Sequence, residues 1–364
     1  MTQRLIAAWI AVPALLALLV FASVEKLPFA TYQPGGTIDV LGTADGSDAE
    51  IIQVDGHKIY DDTGQLRMTT VRVSPPAPKG EKGGMPLGEL LSLWVDGDDA
   101  VYPYKTVHPD DETPESSRQE GAVQMATSQE DAVYVALTEL GITVPETLRV
   151  AAVTDAMPAQ GTLQVGDTLV SVNGVDVADD KELRKQIQAA PEKKPIEIGI
   201  SRDGKEQTVS ITPVQQEGRQ LIGIELGYDY EFPFDVKINI SDNIGGPSAG
   251  LIFSLAVYDT LTPGSLTGGH EIAGTGEIAA DGTVGPIGGI QQKIAGARDD
   301  GAELFIVPEA NCADALTAGN NGDMRLMMGR TMHEVREALE KYAADPDATL
   351  PSCADAGTDD GSGE

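Results

Sequence analysis

The stretch NIGGPSAGLIFSLAVYDTL, residues 243–261, changes character in its middle. It opens with small, turn-forming residues and becomes an apolar run with Leu251, Ile252, Leu255 and Ala256 at the spacing of a buried helix. The preceding FDVKINI, 234–240, reads as a strand. Ser248 therefore sits at the join of a strand, a Gly/Pro turn and a helix. Free backbone N–H groups and the helix dipole favour negative charge at such a point. A nucleophile there would find donors for a developing oxyanion in the backbone of Gly246, Ser248 and Ala249. The other reading of the same residues is a serine that merely caps the helix.

A serine hydroxyl needs a base. His270 and His333 lie in no triad-like motif. The segment TGEIAADGTVGPIGGIQQKIAGA, 275–297, reads as a strand or hairpin, a Gly-rich turn and a helix from about Ile290. Lys293 is one turn into that helix, flanked by Ile290, Ile294 and Ala297. Burial disfavours the charged form, and a neutral lysine can take a proton from serine. A solvated helix lysine is the competing reading.

Together the two segments resemble the proteolytic domain of Lon-type serine proteases, over about residues 232–342. GGPSAG is similar to that family's nucleophile motif; TGEI, GPIGG and QQKIAGA are similar to its lysine motif; GAELFIVPEAN, 301–311, is similar to the strand and loop that follow. The resemblance implies Ser248 as nucleophile, Lys293 as general base and Thr275 as a residue orienting the lysine. Two departures stand out. Where the family often carries an acidic residue, two places before the proline, this chain has Gly245, and no G-x-x-x-x-G-K-[ST] phosphate loop occurs in the sequence. An ATP-independent peptidase is the expectation.

A second resemblance lies upstream. LQVGDTLVSVNGVDV, 163–177, then ELRKQI and IEIGISRDGK, give paired strands with an Asn173-Gly174 turn, a helix, and a hairpin turning at Asp203-Gly204. This resembles a PDZ domain over about residues 130–213. Such domains bind peptide C-termini by strand addition and hold the carboxylate on free backbone N–H groups. Leu140, Gly141 and Ile142 are the candidates for that loop.

Composition bounds the rest. A net charge of −32 over 364 residues argues against nucleic-acid binding. His57, His108, His270 and His333 form no metal-ligand pattern, so neither metal nor cofactor is expected. Residues 5–24 carry no charge and have the length of a membrane span, with Arg4 before them. A cleaved signal peptide is the rival reading, and both export the rest of the chain. In an oxidising compartment Cys312 and Cys353 are a disulfide candidate.

The expected architecture is α+β and multidomain. A transmembrane anchor covers 1–24, and a β-rich region with an acidic loop at 108–122 covers 25–129. A PDZ-like domain follows at 130–215, a Lon-like proteolytic domain at 216–345 and a disordered acidic tail at 346–364. A helix starting at a Ser128 cap is expected within this scheme. The expected function is a membrane-anchored, extracytoplasmic serine endopeptidase acting on flexible or unfolded proteins, with a peptide-binding module. The resemblance also implies a homo-oligomeric ring. A non-catalytic PDZ adaptor and a site-specific processing peptidase are the alternatives.

Overall fold

The structure, a computed structural model, describes residues 3–44, 47–61, 63–95, 97–109, 112–216, 218–319 and 321–356. The chain divides into two compact units, one made of Met1–Gly141 and Phe234–Glu364, the other of Ile142–Pro233.

The first unit starts with helix α1, Gln3–Val24, followed by strands β1, Lys26–Leu27, and β2, Phe29–Asp39. Strands β3, Ile52–Asp55, β4, Gln65–Val73, and β5, Met85–Pro86, precede the short helix α2, Leu87–Val95. Strand β6, Ala100–Pro103, and helix α3, Pro114–Glu139, complete this half. The side chains of α1 are described from Trp9 onward. Among the described residues no helix is long and apolar enough to cross a membrane, so the anchor expected at the N-terminus lacks that support.

From Pro114 onward the long helix α3 takes the place of the acidic loop expected at 108–122, of which Asp110 and Asp111 lie outside the described residues. Thr113 caps it by accepting from the Ser116 N–H, with the reciprocal bond present, and Pro114 occupies the first turn, where its missing donor costs nothing. Ser128 is not a cap. It lies well inside α3 and is buried.

The second unit contains β7, Glu146–Val153, β8, Thr168–Val172, helix α4, Asp180–Ala189, β9, Ile196–Arg202, β10, Lys205–Ile211, and β11, Ile224–Tyr230. The strands run in the order β10-β9-β8-β7-β11, antiparallel throughout. Both anticipated hairpin turns have two residues with positive φ: Asn173 and Gly174 at 50° and 77°, Asp203 and Gly204 at 52° and 71°. That is the backbone a two-residue turn needs to match strand twist. Leu148, Val150, Leu169, Leu183, Ile198 and Ile200 are among the apolar residues filling the core beneath α4.

The chain then returns to the first unit with β12, Asp235–Ile238, helix α5, Gly250–Leu261, and β13, Glu271–Gly274. Helix α6, Ile290–Asp299, strands β14, Leu304–Pro308, and β15, Arg325–Gly329, and helix α7, Met332–Ala344, follow. One sheet runs β15-β14-β13-β4-β2-β6. Strands β15, β14, β13 and β4 are parallel; β2 pairs antiparallel with β4, and β6 antiparallel with β2. Residues 25–129 are therefore not a region of their own, because β4 and β2 continue the sheet that β13–β15 begin.

Helix α5 is buried on nearly every side, as its uniformly apolar sequence requires. Helix α6 packs on β2 and β4. A Cβ on Gly296 of α6 would run into the carbonyl oxygen of Gly35, at the β2 bulge. Gly296→Ala is therefore expected to destabilise by about 1–3 kcal/mol, although alanine is the better helix former by about 1 kcal/mol. Urea denaturation reads the sign, and a stabilised variant would disprove this close approach.

The tail is ordered further than its composition suggested. Leu350 and Cys353 are buried, the Pro351 carbonyl accepts from the Met328 N–H, and Cys353 is disulfide-bonded to Cys312. The part of the expected disordered tail beyond Ala356 lies outside the described residues.

Candidate active site

Ser248 stands two residues before α5 and caps nothing. The N-cap position belongs to Ala249, which makes no side-chain cap bond. The Ser248 Oγ instead lies 2.8 Å from the Lys293 Nζ. Gly246, at φ +93°, gives the turn a backbone open mainly to glycine.

Lys293 enters from α6 and is only 2 % exposed. Its amine has three neighbours: the Thr69 carbonyl at 3.1 Å, the Thr275 Oγ1 at 2.9 Å and the Ser248 Oγ. No carboxylate pairs with it among the described residues. Burial drives this amine down from its ordinary 10.5 to about 7. The neighbours also fix which way it points. The Thr275 hydroxyl donates its proton to the Ser248 carbonyl, 2.9 Å away, so towards Lys293 it accepts. The Thr69 carbonyl can only accept. A neutral amine has two N–H groups and one lone pair. The two N–H groups go to Thr69 and Thr275, and the lone pair is left for the Ser248 O–H.

The three residues proposed for oxyanion binding divide. The Gly246 N–H is taken by the Gly121 carbonyl at 2.9 Å, so it is not a free donor. The N–H groups of Ser248 and Ala249 have no partner among the described residues. Sequence reasoning found only the second half of α3, from Ser128, and missed its first turns. Besides the Gly121 bond, the buried Ser128 Oγ donates to the Pro247 carbonyl at 3.0 Å. Helix α3 therefore grips the Ser248 turn on both sides of Pro247. It also accounts for Gly245: a Cβ there would lie 3.0 Å from the Gly121 backbone. The polar, acidic composition of 108–122 gave no hint of this, although the Thr113-Pro114 pair was a readable helix start.

A cleft of about 450 Å3 opens over Ser248 and Lys293, with Ile38, Met68, Val71 and Met125 among its walls. Its lining is mixed, with Thr37, Thr70, Arg72 and Asn243 beside the apolar walls, and residues of β2 and β4 along one side.

Leu140 and Gly141, two of the three residues expected to hold a peptide carboxylate, belong to the first unit and present no free N–H groups. The Leu140 and Gly141 N–H groups close the C-terminus of α3 on Ala136 and Thr138, which leaves no donors there for a ligand except at Ile142. Strand β11, by contrast, ends its sheet, and its outer edge is unpaired among the described residues. A groove of about 370 Å3 lies between β11 and α4, lined by Met157, Leu183, Ile187, Ile222 and Leu226. The Ile222 and Gly223 N–H groups at its end have no partner among the described residues, and Gly223 has φ +80°. Leu140-Gly141-Ile142 and Ile222-Gly223-Ile224 share one apolar-Gly-apolar pattern. Only the strand order separates them.

Comparison with known proteins finds two matched segments, the first of which along the chain begins inside α3 and ends before β11. Residues 235–341 match the Lon protease (S16) C-terminal proteolytic domain, and residues 123–212 match the PDZ domain. The Lon protease of Desulforamulus reducens is 39% identical over 95 residues, covering 25% of this chain and 12% of its own. Lon protease 1 of Bacillus subtilis is 35% identical over 95 residues, with the same two coverages of 25% and 12%. The chain thus spans a small part of the curated relatives it matches. The PDZ domain of an SdrC-like protein from Listeria innocua is 23% identical, covering 22% of this chain and 92% of its own, with a TM-score of 0.21. By the two family matches, one part of the chain is similar to a Lon-type proteolytic domain and another to a PDZ domain. Strands β2 and β4 and the first turns of α3 lie outside both matched segments.

Proposed function

We propose that this chain is a serine endopeptidase with a Ser248–Lys293 dyad, cutting flexible or unfolded segments of exported proteins without ATP. The observation that carries the reading is a buried amine with no carboxylate partner, its lone pair left for one hydroxyl. The Ser248 Oγ attacks a peptide carbonyl carbon as its proton passes to Lys293 Nζ. The Ser248 and Ala249 N–H groups receive the oxyanion. As the C–N bond breaks, Lys293 returns the proton to the leaving amine. Water then gives a proton to Lys293 and its oxygen to the acyl carbon, and the Ser248 Oγ leaves and regains its proton. Thr275 positions the amine throughout.

The groove along β11 is proposed to take an extended peptide as an added strand, its terminal carboxylate on Ile222 and Gly223. The Cys312–Cys353 disulfide favours a site of action outside the cytoplasm. The exposed apolar side chains of α1, such as Trp9, Leu15 and Phe21, favour a tether in the membrane.

The pH dependence of casein cleavage tests the mechanism. Only the neutral amine can act as base, so kcat/KM should climb about tenfold per pH unit below 7 and flatten above it. A flat profile from pH 5 to 8, or no cleavage at any pH, would refute the dyad.

A further inference from the structure

We propose that α2 and the lysines beside it form a bilayer-docking surface that lays the protease against phospholipid headgroups; this rests on the reading that α1 enters the membrane. Strand β1 follows α1 directly and pairs with β5, Lys26 opposite Pro86 and Leu27 opposite Met85. Helix α2 begins at the next residue, Leu87. Its start is therefore pinned to the exit of α1, so a bilayer that holds α1 brings its surface to α2.

The face of α2 suits that place. Leu90 is buried against the protein, whereas Leu87, Leu91 and Val95 are 39%, 50% and 81% exposed. Residues four apart share one side of a helix, so these three make a single uncovered apolar stripe. At β1, which joins α1 to the strand before α2, a pocket of about 780 Å3 is lined by Lys26, Lys79, Lys82 and Lys105, with Glu81 and Glu112. Glu112 is already bonded to His108. Lys26, Lys79 and Lys82 are exposed and have no carboxylate partner among the described residues. In a chain with 57 acidic and 25 basic residues, such a grouping beside an apolar stripe is out of keeping with the rest of the surface. Apolar residues entering the acyl boundary while lysines meet phosphate oxygens is the chemistry of an interfacial helix. It also orients the molecule, since the acidic remainder is repelled by an anionic surface.

The native cysteines are joined to each other, so one introduced cysteine can carry a polarity-sensitive fluorophore. The full chain with Val95→Cys, and separately with Leu316→Cys, is reconstituted into phosphatidylcholine vesicles containing phosphatidylglycerol, then floated on a density gradient. In floated vesicles the Val95 label should be quenched by lipid-borne nitroxide and shielded from aqueous iodide, and the Leu316 label should show the reverse. Lys79→Glu with Lys82→Glu should weaken the contact by roughly 30-fold or more, restoring iodide access at Val95. If the chain floats but the Val95 label stays open to iodide, the docking surface is refuted while the tether stands. If that label is shielded from iodide but not quenched by the lipid-borne nitroxide, protein covers the stripe, as a second copy would, and the proposal fails. If the chain does not float, the tether and the docking surface fall together, and cleavage by the dyad is untouched.

Discussion

Replacing Lys293 with methionine is expected to lower turnover of an unfolded protein substrate by roughly 10,000-fold or more and, at the same time, to raise the stability of the fold. The first effect follows from losing the base that contacts Ser248, the only one among the described residues; Ser248→Ala should cost as much, and the double variant little more, because the two act as one unit. The second follows from what burial does to the amine. Between the folded value near 7 and the ordinary 10.5, the unfolded chain binds a proton that the folded chain lacks. Wild-type stability therefore rises with pH through that window, and below it the penalty is at its full size. At pH 7 the penalty is about 4 kcal/mol. The amine's bonds to Thr69 and Thr275 offset about 2 kcal/mol of that, leaving the methionine variant ahead by about 2 kcal/mol. Denaturation curves at several pH values test both size and sign. The advantage should shrink and reverse towards pH 10. A variant that is less stable at pH 7, or one that still cleaves, would contradict the dry, uncharged base.

Reduction of the Cys312–Cys353 bond is expected to cost about 4 kcal/mol by the loop-entropy relation, given the 41-residue separation of the two cysteines. The loss should reach the active site. Cys312 and Cys353 share a core with Ile290 and Ile294, which flank Lys293 on α6. Freed of the bond, the last residues are held by non-covalent contacts, among them the Met328 N–H on the Pro351 carbonyl and the Arg325 guanidinium on the Pro346 and Ala348 carbonyls. Thermal unfolding with and without reductant, and with Cys312→Ala and Cys353→Ala together, should give the same drop. Peptidase activity should fall in parallel. An unchanged melting temperature would show that the tail carries no weight.

Ser248 and Lys293 were legible because each lies at a helix start with a strongly patterned sequence: glycines and a proline before an apolar run, and isoleucines spaced around a lone lysine. The PDZ-like turns were legible because Asn-Gly and Asp-Gly encode a two-residue turn almost by themselves. What the sequence hid is what depends on backbone atoms and long-range pairing. The Thr69 carbonyl is a side-chain-independent acceptor, so no residue type marks it. Strands β2 and β4 read as strands, yet nothing local says that they join a sheet begun by residues some 200 positions later. The stretch from 108 to 122 looked like solvent-facing loop because α3 is polar on its exposed turns and meets the nucleophile loop through Gly121 and Ser128, residues with little apolar signature. Between the two apolar-Gly-apolar triplets, composition offered no way to choose.

The insertion of Ile142–Pro233 between two halves of the other unit has a consequence for any processed form of the protein. The hydroxyl and the amine are both encoded after Phe234, while the carbonyl that anchors the amine and the helix that clamps the turn are encoded before Gly141. A cut within the inserted unit would leave neither fragment with a complete reaction centre, so an active product requires the two pieces to stay associated.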